Sequence, residues 1–164
     1  MIVSLIAAAD SKNGIGLNGI MPWGHIKEDM QFFKSMTSGY SIVMGRVTFE
    51  SLGSKPLPNR KNIVISSNIN NEIADKYNNL FYEKSFENAL SKLFLEKNRQ
   101  IFIIGGESIY NRALDYADKI YLTQDYHCDR FFPEIDKNSF KSNKLKTFLY
   151  NDINVKIVEY TRLL

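Results

Sequence analysis

The chain has 164 residues, 44% of them hydrophobic, with 21 Lys and Arg against 18 Asp and Glu for a net charge of +3; this is enough for one domain with a substantial core. The basic residues are scattered rather than gathered in a stripe, which argues against a nucleic-acid binder, whereas a modest cation excess suits small anionic molecules. One cysteine, Cys128, rules out an internal disulfide, no Cys/His spacing builds a zinc site, and a reducing compartment such as the cytoplasm is expected.

Ile2–Ala9 (IVSLIAAA) is an apolar run of strand length. No basic segment precedes it and it is too short to cross a bilayer, so it is predicted as a buried strand, with no membrane association. Asn13 to Trp23 (NGIGLNGIMPW) follows, with three glycines able to take positive φ and a stiffening Pro22. It reads either as a loop that closes over a site or as a plain mobile connection. Ile26–Met36 reads as a helix. On helical spacing Asp29, Phe32, Phe33 and Met36 share a face, while Glu28 is turned away by about 100°. An acid on an apolar face has two readings. It offsets the helix dipole in the first turn, or it is a partly buried anion that pairs with a flat cationic or amidine-like group such as a pterin edge.

SIVMG (41–45), NIVISS (62–67), NLFY (79–82), IFIIGG (101–106) and KIYLTQ (119–124) are strand-like, and Phe86–Glu96 and Ser108–Tyr116 are helix-like. Strands alternating with crossover helices predict an α/β domain with a mostly parallel sheet. Past Lys144, LKTFLY and VKIVEYTRLL flank Asn151-Asp152, a hairpin signal, so an antiparallel edge is expected to close the sheet. No repeat, low-complexity tract or linker interrupts the chain, and residues 1–164 are expected to form one domain.

Ligands of an open α/β sheet bind beyond the carboxyl ends of its strands. After SIVM come Gly45, Arg46, Val47 and Thr48 entering a helix; after NIVI come Ser66 and Ser67; after IFII come Gly105 and Gly106 entering another helix. Helix-start N–H groups beside a guanidinium and hydroxyls form a phosphate cradle, and a dinucleotide would use all three places. Singly, Gly-Gly is a tight turn and Ser-Ser a cap more often than a phosphate loop. No G-x-G-x-x-G follows a strand, so a nicotinamide cofactor would bind by a route other than the Rossmann fingerprint.

Taken in order, N-G-I-G-x-x-G-x-x-P-W, Asp29 six residues after Trp23, M-G-R-x-T-F-E-S-L-G, P-L-P-N-R-K-N-I-V-I-S-S, I-I-G-G-x-x-I-Y and Y-L-T resemble the dihydrofolate reductase family over essentially the whole chain. The resemblance implies reduction of 7,8-dihydrofolate to tetrahydrofolate by NADPH, with a hydride passing from nicotinamide C4 to pterin C6 and a proton to N5. No metal or covalent intermediate is needed. It implies Asp29 as the one catalytic ionisable residue, hydrogen-bonded to the pterin amino group and ring nitrogen, with Thr123 linked to it. Ile6, Ala7 and Ile104 would line the pterin and nicotinamide pocket, Phe33, Leu52 and Leu57 would wall the substrate, and Arg60 would take its glutamate carboxylate as a fork.

For NADPH the likeness implies Ala8, Ile15 and Gly16 near the nicotinamide. Gly45, Arg46, Val47 and Thr48 would lie near the phosphates, Ser66 and Ser67 near the adenosine phosphate, and Lys84 on the cofactor side. Ile104, Gly105, Gly106, Glu107, Ser108, Ile109 and Tyr110 would complete the cleft, with a cis Gly-Gly bond. The glycine loop through Met21 would be the gate, and a monomer that binds dihydrofolate and antifolates is implied.

The sequence departs from the family pattern in three places. Thr123 to Pro133 is shorter than in familiar bacterial members, with Asp129 in place of the aspartate that steadies the glycine loop. One extra residue before Asp29 leaves Glu28 as a competitor for the acid role. Val47 and Glu107 stand where members vary, and the lack of a basic side chain there would weaken preference for NADPH over NADH. The nearest other reading is a pyrimidine reductase of riboflavin synthesis, against which the Pro22-Trp23 to Asp29 segment and Arg60 argue. A nucleotide-binding module without catalysis is a second alternative, which absence of turnover in both wild type and Asp29→Asn would favour, whereas full turnover in Asp29→Asn would overturn the acid assignment.

Overall fold

The structure, a computed structural model, describes residues 1–9, 14–16, 26–124, 130–150 and 152–164. In chain order these form β1 (Ile2–Ala9), β2 (Gly14–Gly16), α1 (Lys27–Thr37), β3 (Ser41–Gly45), α2 (Arg46–Ser51), β4 (Lys61–Ile65), α3 (Asn71–Ala74), β5 (Leu80–Glu83) and α4 (Phe86–Leu95). Then follow β6 (Gln100–Gly105), α5 (Glu107–Ala113) with a 3-10 turn (Leu114–Tyr116), β7 (Lys119–Gln124), β8 (Arg130–Phe131), β9 (Phe140–Tyr150) and β10 (Ile153–Arg162).

Eight strands make one sheet in the order β5-β4-β3-β6-β1-β7-β10-β9, and β2 pairs with β8 separately. From β5 to β7 the neighbours run parallel; β10 and β9 add antiparallel at one edge, as the hairpin signal predicts. The strands are apolar on both faces because both faces are covered. Val3, Leu5, Val43, Ile63, Ile101 and Ile103 pack with Phe86, Ala89 and Leu93 of α4 and with Ile109 and Ala113 of α5. The alternate residues Ile6, Ile42, Met44, Val64 and Phe102 pack with Phe49 of α2, against which Phe32, Phe33 and Met36 of α1 also lie. Fully buried Phe49, Phe86 and Phe102 each contribute about 1.5–3 kcal/mol relative to exposure.

Local chemistry sets the element ends. Ser85 Oγ accepts from Asn88 N at 3.1 Å to start α4, and Lys97, at φ 60°, ends the run that follows it. β4 stops at Ile65, ahead of the Ser67 that the apolar run suggests. Ser66 N still donates to Glu83 O at 2.9 Å, but its hydroxyl closes a turn of its own by donating to Asn68 O at 2.7 Å and accepting from Asn68 N. β9 starts at Phe140 rather than near Leu145, because Lys141 to Lys144 lie exposed on an edge strand and show no apolar face. α3 and the β2–β8 pair have no counterpart among the predicted elements. Asn151, half of the hairpin signal, lies outside the described residues, while Asp152 takes φ 63°.

The parallel strands bring their carboxyl ends to one rim. The chain passes from β1 to β3, β4 and β5, then returns to place β6 between β3 and β1 before β7 takes the other side of β1. This reversal around β1 and β6 is where an open α/β sheet leaves a crevice. Among the described residues no helix is long and apolar enough to cross a membrane.

Candidate active site

Asp29 sits in the first turn of α1, and Thr123 near the end of β7. Tyr121 packs into the α1-side core, and the period of two puts Thr123 on the same face, towards that helix. The Thr123 hydroxyl donates to Asp29 Oδ1 at 2.6 Å, so the sequence's competitor, Glu28, is not the acid that this hydroxyl meets. Burial raises the Asp29 pKa above its ordinary value, and the Thr123 hydrogen bond pulls the other way without cancelling it. Ala8 is the register partner of Thr123 on β1. Ile6 is buried in the α1-side core and Ile104 packs against it, whereas Ala7 packs against the opposite core.

Tyr110 of α5 reaches across to this rim. Its hydroxyl donates to Ile6 O at 2.7 Å, and burial, with a smaller push from the Asp29 charge, holds the phenol well above its usual range. The Gly105-Gly106 bond is cis, as the resemblance implies. The two glycines meet α2 and α5 closely. A Cβ on Gly45 would stand 3.2 Å from Ile109 Cγ1; one on Gly105 would stand 3.4 Å from Thr48 Oγ1 and Tyr110 Oη; one on Gly106 would stand 3.4 Å from Thr48 Oγ1. Gly45, Thr48, Gly105, Gly106, Ile109 and Tyr110 therefore converge; space is tight for a Cβ at Gly45, and at Gly105 it is the φ of 126° that favours glycine.

The outer residues are looser. Arg46 is exposed and pairs with Glu50 of its own helix at 2.6 Å. Val47 is 64% exposed and Leu52 36%. Ser67, Lys84 and Ser108 are exposed and Glu107 is partly buried, while the Ser66 hydroxyl is engaged in its local turn. Ile15 and Gly16 lie in β2, which pairs with β8. Asp129, most of the glycine loop, Met21 and His25 lie outside the described residues.

Arg60 stands apart from Asp29 on the same side of the sheet. It is 7% exposed; Nε donates to Pro58 O at 2.9 Å and Nη1 to Thr37 Oγ1 at 3.0 Å, with the guanidinium 5.9 Å from the Phe33 ring centre. No carboxylate among the described residues pairs with it. Both acceptors of the Arg60 guanidinium among the described residues are neutral oxygens. Phe33 and Leu57 pack against the α1-side core beside it. Sequence reasoning did not single out Thr37, Asn62 or Asn79, which hold the Arg60 segment; each is an ordinary polar residue whose contacts come from distant parts of the chain.

Among the described residues no group of three His, Cys, Asp or Glu is arranged to hold a metal ion. A cavity of about 710 Å³ opens at the amino ends of β3, β4 and β6, away from Asp29.

The Dihydrofolate reductase family model matches residues 2–162. The dihydrofolate reductase of Buchnera aphidicola subsp. Acyrthosiphon pisum is 44% identical over 137 residues, covering 82% of this chain and 80% of that protein. That of Bacillus subtilis is 39% identical over 143 residues, covering 85% and 80%. A dihydrofolate reductase type 3 of Salmonella typhimurium is 35% identical over 166 residues, covering 99% and 98%. With the glycine cradle, the Asp29–Thr123 pair and a match over nearly its full length, the chain belongs to the dihydrofolate reductase family.

Proposed function

We propose that this chain reduces 7,8-dihydrofolate to 5,6,7,8-tetrahydrofolate with NADPH as hydride donor, and that Asp29 is its catalytic acid. The observation that carries this reading is the partly buried carboxylate at the open rim of the sheet, tied at one oxygen by Thr123. Asp29 accepts hydrogen bonds from the pterin amino group and ring nitrogen, and its charge, in surroundings of low dielectric, favours a proton on the bound ring at N5. Thr123 fixes the carboxylate's orientation. Ile6, Ile104, Phe33, Leu52 and Leu57 give the pterin and its benzoyl group apolar walls that exclude water, while Ala7, whose side chain turns to the opposite core, has only its backbone to offer. Arg60 takes the substrate's glutamate carboxylate with the fork that no protein acid among the described residues occupies.

The residues fit a dinucleotide. Gly45 and Gly106 stand at the starts of α2 and α5 with no side-chain cap on either helix, and a Cβ on Gly45 would meet Ile109 at 3.2 Å, so a dinucleotide backbone can approach there. Arg46, Thr48 and Ser67 offer cationic and hydroxyl partners for phosphates. Ala8, Ile15 and Gly16 flank the nicotinamide, with Val47, Ser66, Lys84, Glu107, Ser108, Ile109 and Tyr110 completing the cofactor side. NADPH, when bound, supplies the hydride; the chain's own part is to align the two rings and keep water away. The reading takes a monomeric single domain as the working unit, in the cytoplasm that a lone cysteine suits.

The test is loss of NADPH absorbance on adding dihydrofolate, with a methotrexate-like diaminopteridine as competitor. Substrate-dependent loss that the diaminopteridine blocks is expected. Absence of both, or competition only by a ribosyl-phosphate pyrimidine, refutes the reading.

A further inference from the structure

We infer that Asn79, acting with Asn62, is a positioning residue for recognition of the substrate's glutamate carboxylate. The inference rests on the reading of Arg60 just given and goes beyond it, because neither asparagine touches the substrate.

Leu57, Pro58, Asn59 and Arg60 make a tight turn between α2 and β4. Pro58 stands at its second position and Asn59, at φ 56°, at its third, the pattern of a type II turn. The residues at its two ends are both proposed substrate contacts, Leu57 as a wall and Arg60 as the fork. Their carbonyls are held by the same pair of carboxamides. Asn62 Nδ2 donates to Leu57 O and to Arg60 O, each at 2.9 Å; Asn79 Nδ2 donates to the same two oxygens at 3.2 and 3.1 Å. Asn62 Oδ1 also accepts from Leu57 N at 2.9 Å. The two asparagines are themselves joined, because Asn62 N donates to Asn79 O at 2.8 Å where β4 meets β5.

Asparagine suits this task for a reason of geometry. One planar NH₂ presents two hydrogens, so it can bridge two carbonyl oxygens and fix the distance between them. Alanine would leave those oxygens with fewer donors, and aspartate would set an acceptor against acceptors.

The Arg60 side chain inherits this constraint. Its Nε is bound to Pro58 O, inside the same turn, and its Nη1 to Thr37 Oγ1, which in turn donates to Phe33 O at 2.7 Å. The guanidinium is therefore located by the backbone of the turn on one side and by α1 on the other. A shift of the turn moves the fork relative to the pterin site, and misplacement by about 1 Å is enough to weaken a bidentate contact. Asn62 is wholly buried, so its loss would disturb β4; Asn79 is only partly buried and its loss leaves Asn62 in place. Asn79 is thus the position at which the effect can be read.

The experiment compares dihydrofolate with a 7,8-dihydropterin that carries methyl at C6 and lacks the benzoyl-glutamate tail, in the full chain with NADPH. Asn79→Ala is expected to raise KM for dihydrofolate about three- to tenfold, with kcat within about twofold, and to leave kcat/KM for the tailless pterin within about twofold. Asn79→Asp is expected to exceed Asn79→Ala on dihydrofolate alone. Arg60→Lys should show the same selectivity, and the double variant Arg60→Lys/Asn79→Ala should cost less than the product of the single effects, because both act through one contact. If Arg60→Lys is selective for the tail and Asn79→Ala is not, the positioning role is overturned while the reduction of dihydrofolate stands. If Asn79→Ala lowers both substrates equally, its effect is on the whole fold and the inference is likewise overturned. If Arg60→Lys shows no preference for the tailed substrate, the assignment of Arg60 falls and this inference falls with it.

Discussion

Replacing Thr123 with valine removes one hydroxyl and little volume, and so isolates the 2.6 Å bond that the hydroxyl donates to Asp29. A hydrogen bond to an ionised group in partly buried surroundings contributes about 1.5–3 kcal/mol, and a neutral one about 0.5–1.5 kcal/mol. Which applies depends on pH, and the sign follows from the direction of the Asp29 shift. Burial raises this carboxyl above its ordinary value of 3.8. The folded state therefore binds the proton more tightly than the unfolded chain, and a destabilising term sets in as pH climbs past the ordinary range and reaches its full size above the folded pKa. Thr123 offsets part of that term.

Near neutral pH, Thr123→Val is thus expected to destabilise by about 1.5–3 kcal/mol, which for a chain of this length lowers Tm by roughly 3–12 °C. At a pH below the ordinary carboxylate range the gap between wild type and variant should shrink by about half. Thermal unfolding followed by circular dichroism at the two pH values reads both numbers. In an Asp29→Asn background the pH dependence of the gap should vanish. A gap that is equal at both pH values, or wider in acid, would refute the claim that the hydroxyl supports an ionised Asp29.

Gly45→Ala places a methyl 3.2 Å from Ile109 Cγ1, which must give by a few tenths of an ångström, and should raise KM for NADPH more than for dihydrofolate in steady-state assays. Gly105, at φ 126°, lies where side chains are rarely accommodated, so Gly105→Ala should cost about 1–3 kcal/mol, read as a lower urea midpoint. Leu93→Ala empties a fully buried position under α4 and is expected to cost about 2–5 kcal/mol with an unchanged m value and unchanged KM.

The strands with apolar neighbours on both faces are plain in the sequence, and β1 and β7 run over the very residues predicted, Ile2–Ala9 and Lys119–Gln124. Periodicity reports burial, so it fails where burial is absent. After its buried first residue, Phe140, β9 runs through Lys141, Ser142, Asn143 and Lys144 on an exposed edge, and α3 is a short turn of helix whose start is set by Asn70 accepting from Ile73 N. Asp29 is visible because a charge on an apolar helical face conflicts with its neighbours. Its partner Thr123 is not, since the two are joined across β7 and α1 by a bond spanning 94 residues; only the family resemblance supplied it. Asn62 and Asn79 escape for the same reason. Asn62 reads as the polar lead of a strand, and nothing local shows that it caps a turn that holds Arg60.

The most direct test of Asp29 as the acid is the pH dependence of NADPH consumption in wild type and Asp29→Asn side by side. Wild type should consume NADPH only when dihydrofolate is present. The variant should be slower by about 10²–10⁴-fold near neutral pH and should lose the part of the profile that a titrating carboxyl contributes, while unfolding at a temperature no lower than wild type, because the buried charge is gone. Full turnover in Asp29→Asn with an unaltered pH profile would contradict the assignment, and NADPH loss that does not depend on dihydrofolate would contradict the reaction itself.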